Sequence, residues 1–67
     1  MSVTVELVGE ERCELDATGR TYGELLSPFD VSQHEVSVLV DGRPVPEDAP
    51  VPAEVDRVQI IRLIRGG

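Results

Sequence analysis

The run Arg57-Val58-Gln59-Ile60-Ile61-Arg62-Leu63 constrains the fold more than any other stretch of the chain. With the two-residue period of a strand, Val58 and Ile60 share one face while Gln59, Ile61 and Leu63 share the other. Apolar groups on both faces suit a central strand, buried from two sides, rather than an edge. A strand is therefore expected from Val55 to about Leu63, and the rest of the chain must supply neighbours on either side of it.

The upstream segments meet that demand. Val3, Val5 and Leu7 alternate with Thr4, Glu6 and Val8, a half-buried strand over residues 2–8 with β-branched residues on its apolar side. Gly9-Glu10-Glu11 is a turn signal, and Arg12-Cys13-Glu14-Leu15-Asp16 alternates again, so the two segments form a hairpin with Cys13 and Leu15 facing inward. Thr21-Tyr22-Gly23-Glu24 reads as a capping box that starts a helix. Its residues Tyr22, Leu25, Leu26 and Phe29 fall at i, i+3, i+4 and i+7, one stripe able to cover a sheet. Pro28 removes the bond to the Glu24 carbonyl and clashes with it, so this helix is short or kinked. Val36–Val40 is a third strand that ends at the hairpin dipeptide Asp41-Gly42. Arg43-Pro44-Val45-Pro46 cannot donate fully to a ladder and reads as an edge, and residues 47–54 form a proline-stiffened loop. Two strands, a helix and further strands argue an α+β fold with the helix on one face of a mixed sheet, the first and last strands lying parallel in its middle.

Size and composition narrow the function. Sixty-seven residues make one domain, in the range where folding buries only about 60% of the unfolded chain's surface. A self-contained enzyme with a deep cleft is disfavoured, and no catalytic side chain is expected. Cys13 is the only thiol, so no internal disulfide forms. No basic group stands near it in sequence to activate it, and a small buried hydrophobe is the simpler role. His34 lacks companions for the four ligands zinc prefers, and no metal site is expected. Thirteen acidic residues face six basic ones, all Arg, for a formal charge of −7. That balance argues against nucleic acid, whose binding draws on Lys and Arg, and against a membrane surface. It suits either plain solubility or a cytoplasm of high salt, where screening removes the self-repulsion. The start of the chain lacks a charged, apolar leader, so a cytoplasmic location is expected.

Two features remain for function. Gly66-Gly67, after Ile64 and Arg65, have no turn or cap to make, and a glycine pair forms a thin thread that fits a narrow pocket while carrying the Gly67 carboxylate. A frayed end is the plainer account. Val8, Leu39, Ile61 and Leu63 all point away from the expected helix, and a patch of such residues marks a partner surface, although scattered surface aliphatics are also normal.

In this order of elements the chain resembles the ubiquitin-like β-grasp proteins, and among them the small archaeal ubiquitin-like modifiers and sulfur carriers. The resemblance covers nearly the whole chain. It rests on the N-terminal hairpin, the segment after Thr21, the block His34-Glu35-Val36-Ser37-Val38-Leu39-Val40-Asp41-Gly42-Arg43-Pro44-Val45-Pro46-Glu47-Asp48, and Ile60-Ile61-Arg62-Leu63-Ile64-Arg65-Gly66-Gly67. It implies a sheet of four to five strands with one helix packed across it, a β-grasp domain over residues 1–63, and a flexible tail over 64–67.

The resemblance further implies that an activating enzyme adenylates the Gly67 carboxylate with ATP, the chain itself binding no cofactor. The activated carboxyl then passes to lysines of target proteins or becomes a thiocarboxylate for tRNA thiolation or molybdopterin synthesis. Gly66 keeps the thread narrow. Arg62 and Arg65 would pair with carboxylates of the activating enzyme, with Leu63, Ile64, Val8, Leu39 and Ile61 completing the partner surface; solvated arginines are the simpler alternative. A sulfur-transfer enzyme or the large subunit of a synthase is a further partner, and the chain itself is a monomer. Two alternatives stay open: a dedicated sulfur carrier that is never conjugated, and a noncovalent β-grasp interaction module. Without lysine the chain can label other proteins but offers no side-chain amine to a second copy.

Overall fold

The computed structural model describes residues 1–63. Five strands, β1 (Ser2–Leu7), β2 (Glu11–Asp16), β3 (Val36–Val40), β4 (Arg43–Pro44) and β5 (Arg57–Arg62), form one mixed sheet in the order β2-β1-β5-β3-β4. The last strand is indeed central. It runs parallel to β1, with Val5 opposite Val58 and Leu7 opposite Ile60, and antiparallel to β3, with Val38 opposite Ile60 and Val36 opposite Arg62. β5 begins two residues later than expected, because the Val55 N–H is spent on a turn to the Pro52 carbonyl.

Hairpin chemistry closes both ends as the residue types dictate. The β1–β2 turn holds Gly9 at φ +81°, and the β3–β4 turn holds Asp41 and Gly42 at φ +54° and +78°. Two successive positive φ values are the signature of a type I′ hairpin turn, and Asp and Gly are the residues that tolerate it.

The expected helix is not present among the described residues. After Thr21 there is one 3₁₀ turn, Gly23–Leu26. The capping box does form: the Thr21 N–H donates to Glu24 Oε1 at 2.7 Å and the Glu24 N–H approaches Thr21 Oγ1 at 3.4 Å. What fails is propagation. Pro28 has no N–H for the Glu24 carbonyl, which accepts instead from Ser27 at 3.4 Å in the tighter three-residue pattern. Gly23 adds backbone entropy against a helix. It also lets the 46–49 loop approach: its N–H donates to the Glu47 carbonyl at 2.7 Å, and an added Cβ would meet that oxygen at 3.1 Å.

The stripe nevertheless reaches its destination. Tyr22, Leu25, Leu26 and Phe29 are all buried against Val3, Val5, Leu7, Val36, Val38, Val58 and Ile60, and Cys13 and Leu15 pack at the edge of this core. Among the described residues no polar or charged side chain is buried.

Candidate functional site

The site assembles where β5 leaves the sheet. The Ile60 carbonyl accepts from Val8 N–H at 2.9 Å, one residue beyond the end of β1. On the other side the Leu63 N–H donates to the Glu35 carbonyl at 2.8 Å, extending the attachment past the last residue of the strand. The final described residue is thus still tied to the sheet's flank.

Arg62 supplies a third tie. It shares the register position of buried Val36, at the rim of the covered face, and reaches the β1–β2 turn. There its Nε and Nη2 donate to the two carboxylate oxygens of Glu10, the second bond at 3.1 Å. This is the bidentate fork that guanidinium and carboxylate geometry favours. The hydrogen bond from Arg62 holds the Glu10 carboxyl below its usual value, and the bond to Glu10 raises Arg62 in return, with Glu35 and Asp30 adding to the negative surroundings. Arg62 was expected to face an external carboxylate; in the free chain an internal one already occupies two of its N–H groups. Sequence pattern offers no route to Glu10, since 52 residues separate the two and nothing distinguishes it from twelve other carboxylates.

The open face of the sheet carries the expected aliphatics. Register carried one step past the Leu7–Ile60 pair sets Val8 beside Ile61, while Leu39, paired with Gln59, lies one diagonal from Ile61. Val8 and Leu63 are 44% and 51% exposed, and Leu39 and Ile61 are half-buried. The four therefore share one face, Val8, Ile61 and Leu63 at the end where β5 leaves and Leu39 further back, beside Gln59, so that they form a strip leading from Leu39 to Leu63. Ile64, Arg65, Gly66 and Gly67 lie outside the described residues.

Elsewhere the described residues offer little chemistry. Cys13 is half-buried on the core side, with Sγ near the Glu14 carbonyl at 3.8 Å. No group of three or more His, Cys, Asp or Glu among them is placed to hold a metal, and no described helix is long and apolar enough to cross a membrane. The surface depressions are open, for example the one between Thr21, Glu24, Gln33, Val45 and Glu47.

Comparison with known proteins agrees with this architecture. A family model described as small archaeal modifier protein 2 matches residues 1–64. The small archaeal modifier protein 2 of Haloferax volcanii is 61% identical over an alignment that takes in the whole of both chains. A protein of Archaeoglobus fulgidus, described as uncharacterised, is 32% identical, again over the whole of both. The crystal structure of the Haloferax volcanii protein superimposes with a TM-score of 0.64 at 57% identity, covering 97% of each chain.

Proposed function

The chain belongs to the small archaeal modifier protein 2 family, whose members are ubiquitin-like modifiers, and from that premise we propose that the Gly67 carboxylate is its reacting group. A carboxylate is a poor acyl donor until one oxygen becomes part of a good leaving group. An activating enzyme supplies that step in the cytoplasm: the carboxylate attacks the α-phosphate of ATP, pyrophosphate departs, and an acyl-adenylate forms. A target lysine amine then attacks the carbonyl and expels AMP, leaving an isopeptide bond. Hydrosulfide in place of the amine attacks the same carbonyl and expels AMP, leaving a thiocarboxylate for tRNA thiolation or molybdopterin synthesis. The chain contributes no catalytic side chain and binds no cofactor in this scheme. It acts as a monomer whose sheet presents the thread.

The observation that best supports this reading is the path of β5. A strand fixed on both sides in the middle of the sheet ends at Arg62, and Gly66 and Gly67 follow it within five positions in the sequence, so the group proposed to react is attached close to the most firmly held strand. Intact-mass measurement of the protein from its native cell tests it. A thiocarboxylate replaces one oxygen by sulfur, and conjugates run far heavier. Deleting Gly67 should abolish both species; conjugates that persist without Gly67 would refute the assignment. Gly-Gly remnants on lysines of other proteins separate conjugation from sulfur transfer alone.

A further inference from the structure

We propose that Glu10 is a positioning residue for the reaction at Gly67: by gripping Arg62 from the β1–β2 turn, it fixes the base from which residues 64–67 depart. The inference rests on the function just assigned and adds to it a residue at the far end of the sequence.

Three observations carry it. The fork between Glu10 and Arg62 joins the first hairpin to the last residue of β5 across 52 positions, so it braces the exit rather than any local turn. Glu10 sits directly after Gly9, whose φ of +81° belongs to the turn that brings the carboxylate over the end of the neighbouring strand. The bond from Leu63 to Glu35 lies on the opposite flank, so the last described residues are held from β1's side and from β3's side together.

A tail must be threaded into a partner's pocket, and each residue left unfixed beforehand must be ordered on binding at an entropic cost. Without Glu10 the Arg62 side chain loses its brace while the pairing with Val36 and the Leu63 bond to the Glu35 carbonyl remain, so the end of β5 opens more often before a partner captures it. The effect belongs to capture of the tail and leaves the chemical step unchanged. An alternative role is inhibitory: Glu10 would occupy Arg62 and have to be displaced by an acidic partner. The two roles have opposite signs.

The experiment compares the full-length wild type with Glu10→Ala and with the charge swap Glu10→Arg combined with Arg62→Glu. Amide hydrogen exchange at Leu63 should quicken about two- to five-fold in Glu10→Ala, the range set by an exposed ion pair, and return toward wild type in the swap. In ATP–pyrophosphate exchange with the cell's own activating enzyme, KM for Glu10→Ala should rise by a similar factor with kcat unchanged. The difference should shrink as KCl is raised, because the pair is exposed to screening. Unchanged exchange at Leu63, or a KM that falls in Glu10→Ala, overturns the proposal. A swap that restores Leu63 protection but not KM would mean that the enzyme reads Arg62 itself, which overturns positioning as the source of the KM effect. Failure of the wild type to support any exchange would strike the assignment of Gly67, while the hydrogen-exchange arm would still decide whether Glu10 fixes the exit.

Discussion

On the covered face of the sheet Val3, Val5, Leu7, Val36, Val38, Val58 and Ile60 are between 0 and 2% exposed, whereas on the open face their strand neighbours Thr4, Glu6, Ser37, Leu39, Gln59 and Ile61 are all half-buried. The same backbone ladder carries both sets. The covered set is wholly aliphatic and holds the fold; the open set mixes hydroxyl, amide, carboxylate and aliphatic groups, and among the described residues no element packs over it. Aliphatics return on the open face at Leu39, beside Gln59, and at Val8, Ile61 and Leu63, toward the end where β5 leaves. A small protein can devote one face to stability and leave the other to a partner only if the first is packed well, since cores of this size supply no more than about 3–5 kcal/mol net.

The sharpest way to break the comparison is to delete equal volumes on the two faces. Ile60→Ala removes methyl groups from the centre of the core and should cost about 2–5 kcal/mol, enough to unfold the domain. Ile61→Ala, the next residue, should cost about 1 kcal/mol or less because its site already opens to water. Urea unfolding measures both. Similar losses would show that the two faces share the work.

The same pair of residues shows what was legible beforehand. Strand faces follow from a period of two, so Val58 and Ile60 could be set apart from Ile61 and Leu63 without coordinates. The sequence predicts a helix where the chain makes a 3₁₀ turn, and the reason is physical. Tyr22, Leu25, Leu26 and Phe29 satisfy helical spacing, but a stripe of only two turns is met as well by a 3₁₀ turn over Gly23–Leu26 followed by a further turn in which the Phe29 N–H donates to the Leu26 carbonyl, and burial of the stripe needs only that its members face one way. Pro28 was visible as an obstacle; the Gly23 approach to Glu47, a long-range contact, was not. Arg62 was seen as functional, yet its partner was hidden because an ion pair between distant surface residues leaves no periodic trace. The end proposed to react, Gly66-Gly67, lies outside the described residues, so that proposal rests on the sequence and its resemblance.

A second test leaves the covered face alone. Val8→Ser with Ile61→Ser should lower the unfolding midpoint far less than Ile60→Ala does, yet raise KM for the proposed activating enzyme by about five- to thirty-fold, the factor that corresponds to 1–2 kcal/mol of lost contact. Unaltered KM would reduce the aliphatic strip to ordinary surface residues.

Salt probes the charge that both faces share at their rims. With thirteen carboxylates against six arginines, raising KCl from about 0.1 M to about 2 M contracts the Debye length from about 10 Å to below about 3 Å. Relief of self-repulsion should lift the thermal midpoint, by about 4–8 °C for each 1 kcal/mol recovered in a domain of this size. A midpoint that does not move would remove the link between composition and a salty cytoplasm.

The smallest expected effect is at the outer edge of the open face, where Asp16 ends β2. Its carboxylate accepts from the Thr18 N–H at 2.9 Å and lies 3.4 Å from the Met1 amine, and these bonds, the Thr18 backbone first, lower its pKa from 3.8 to about 2. Glu10 is lowered as well, by the bond from Arg62. A group that holds its proton more weakly when folded contributes stability that is complete above its unfolded value and is lost as the pH falls through its folded one. Stability should therefore be flat from neutral pH to about pH 5 and decline between about pH 4 and about pH 2. Asp16→Asn should shallow that decline while leaving neutral stability almost intact, because both groups are exposed and solvent weakens their attraction. Ile60→Val, which removes one buried methylene and costs about 0.5–1.5 kcal/mol, should lower the whole curve without changing its slope, since it leaves the partners of Asp16 and Glu10 in place. If Asp16→Asn lowered the curve evenly instead, the carboxylate would be acting as a structural brace rather than as a titrating edge, and the division between a face that folds the chain and rims that respond to the medium would have to be redrawn.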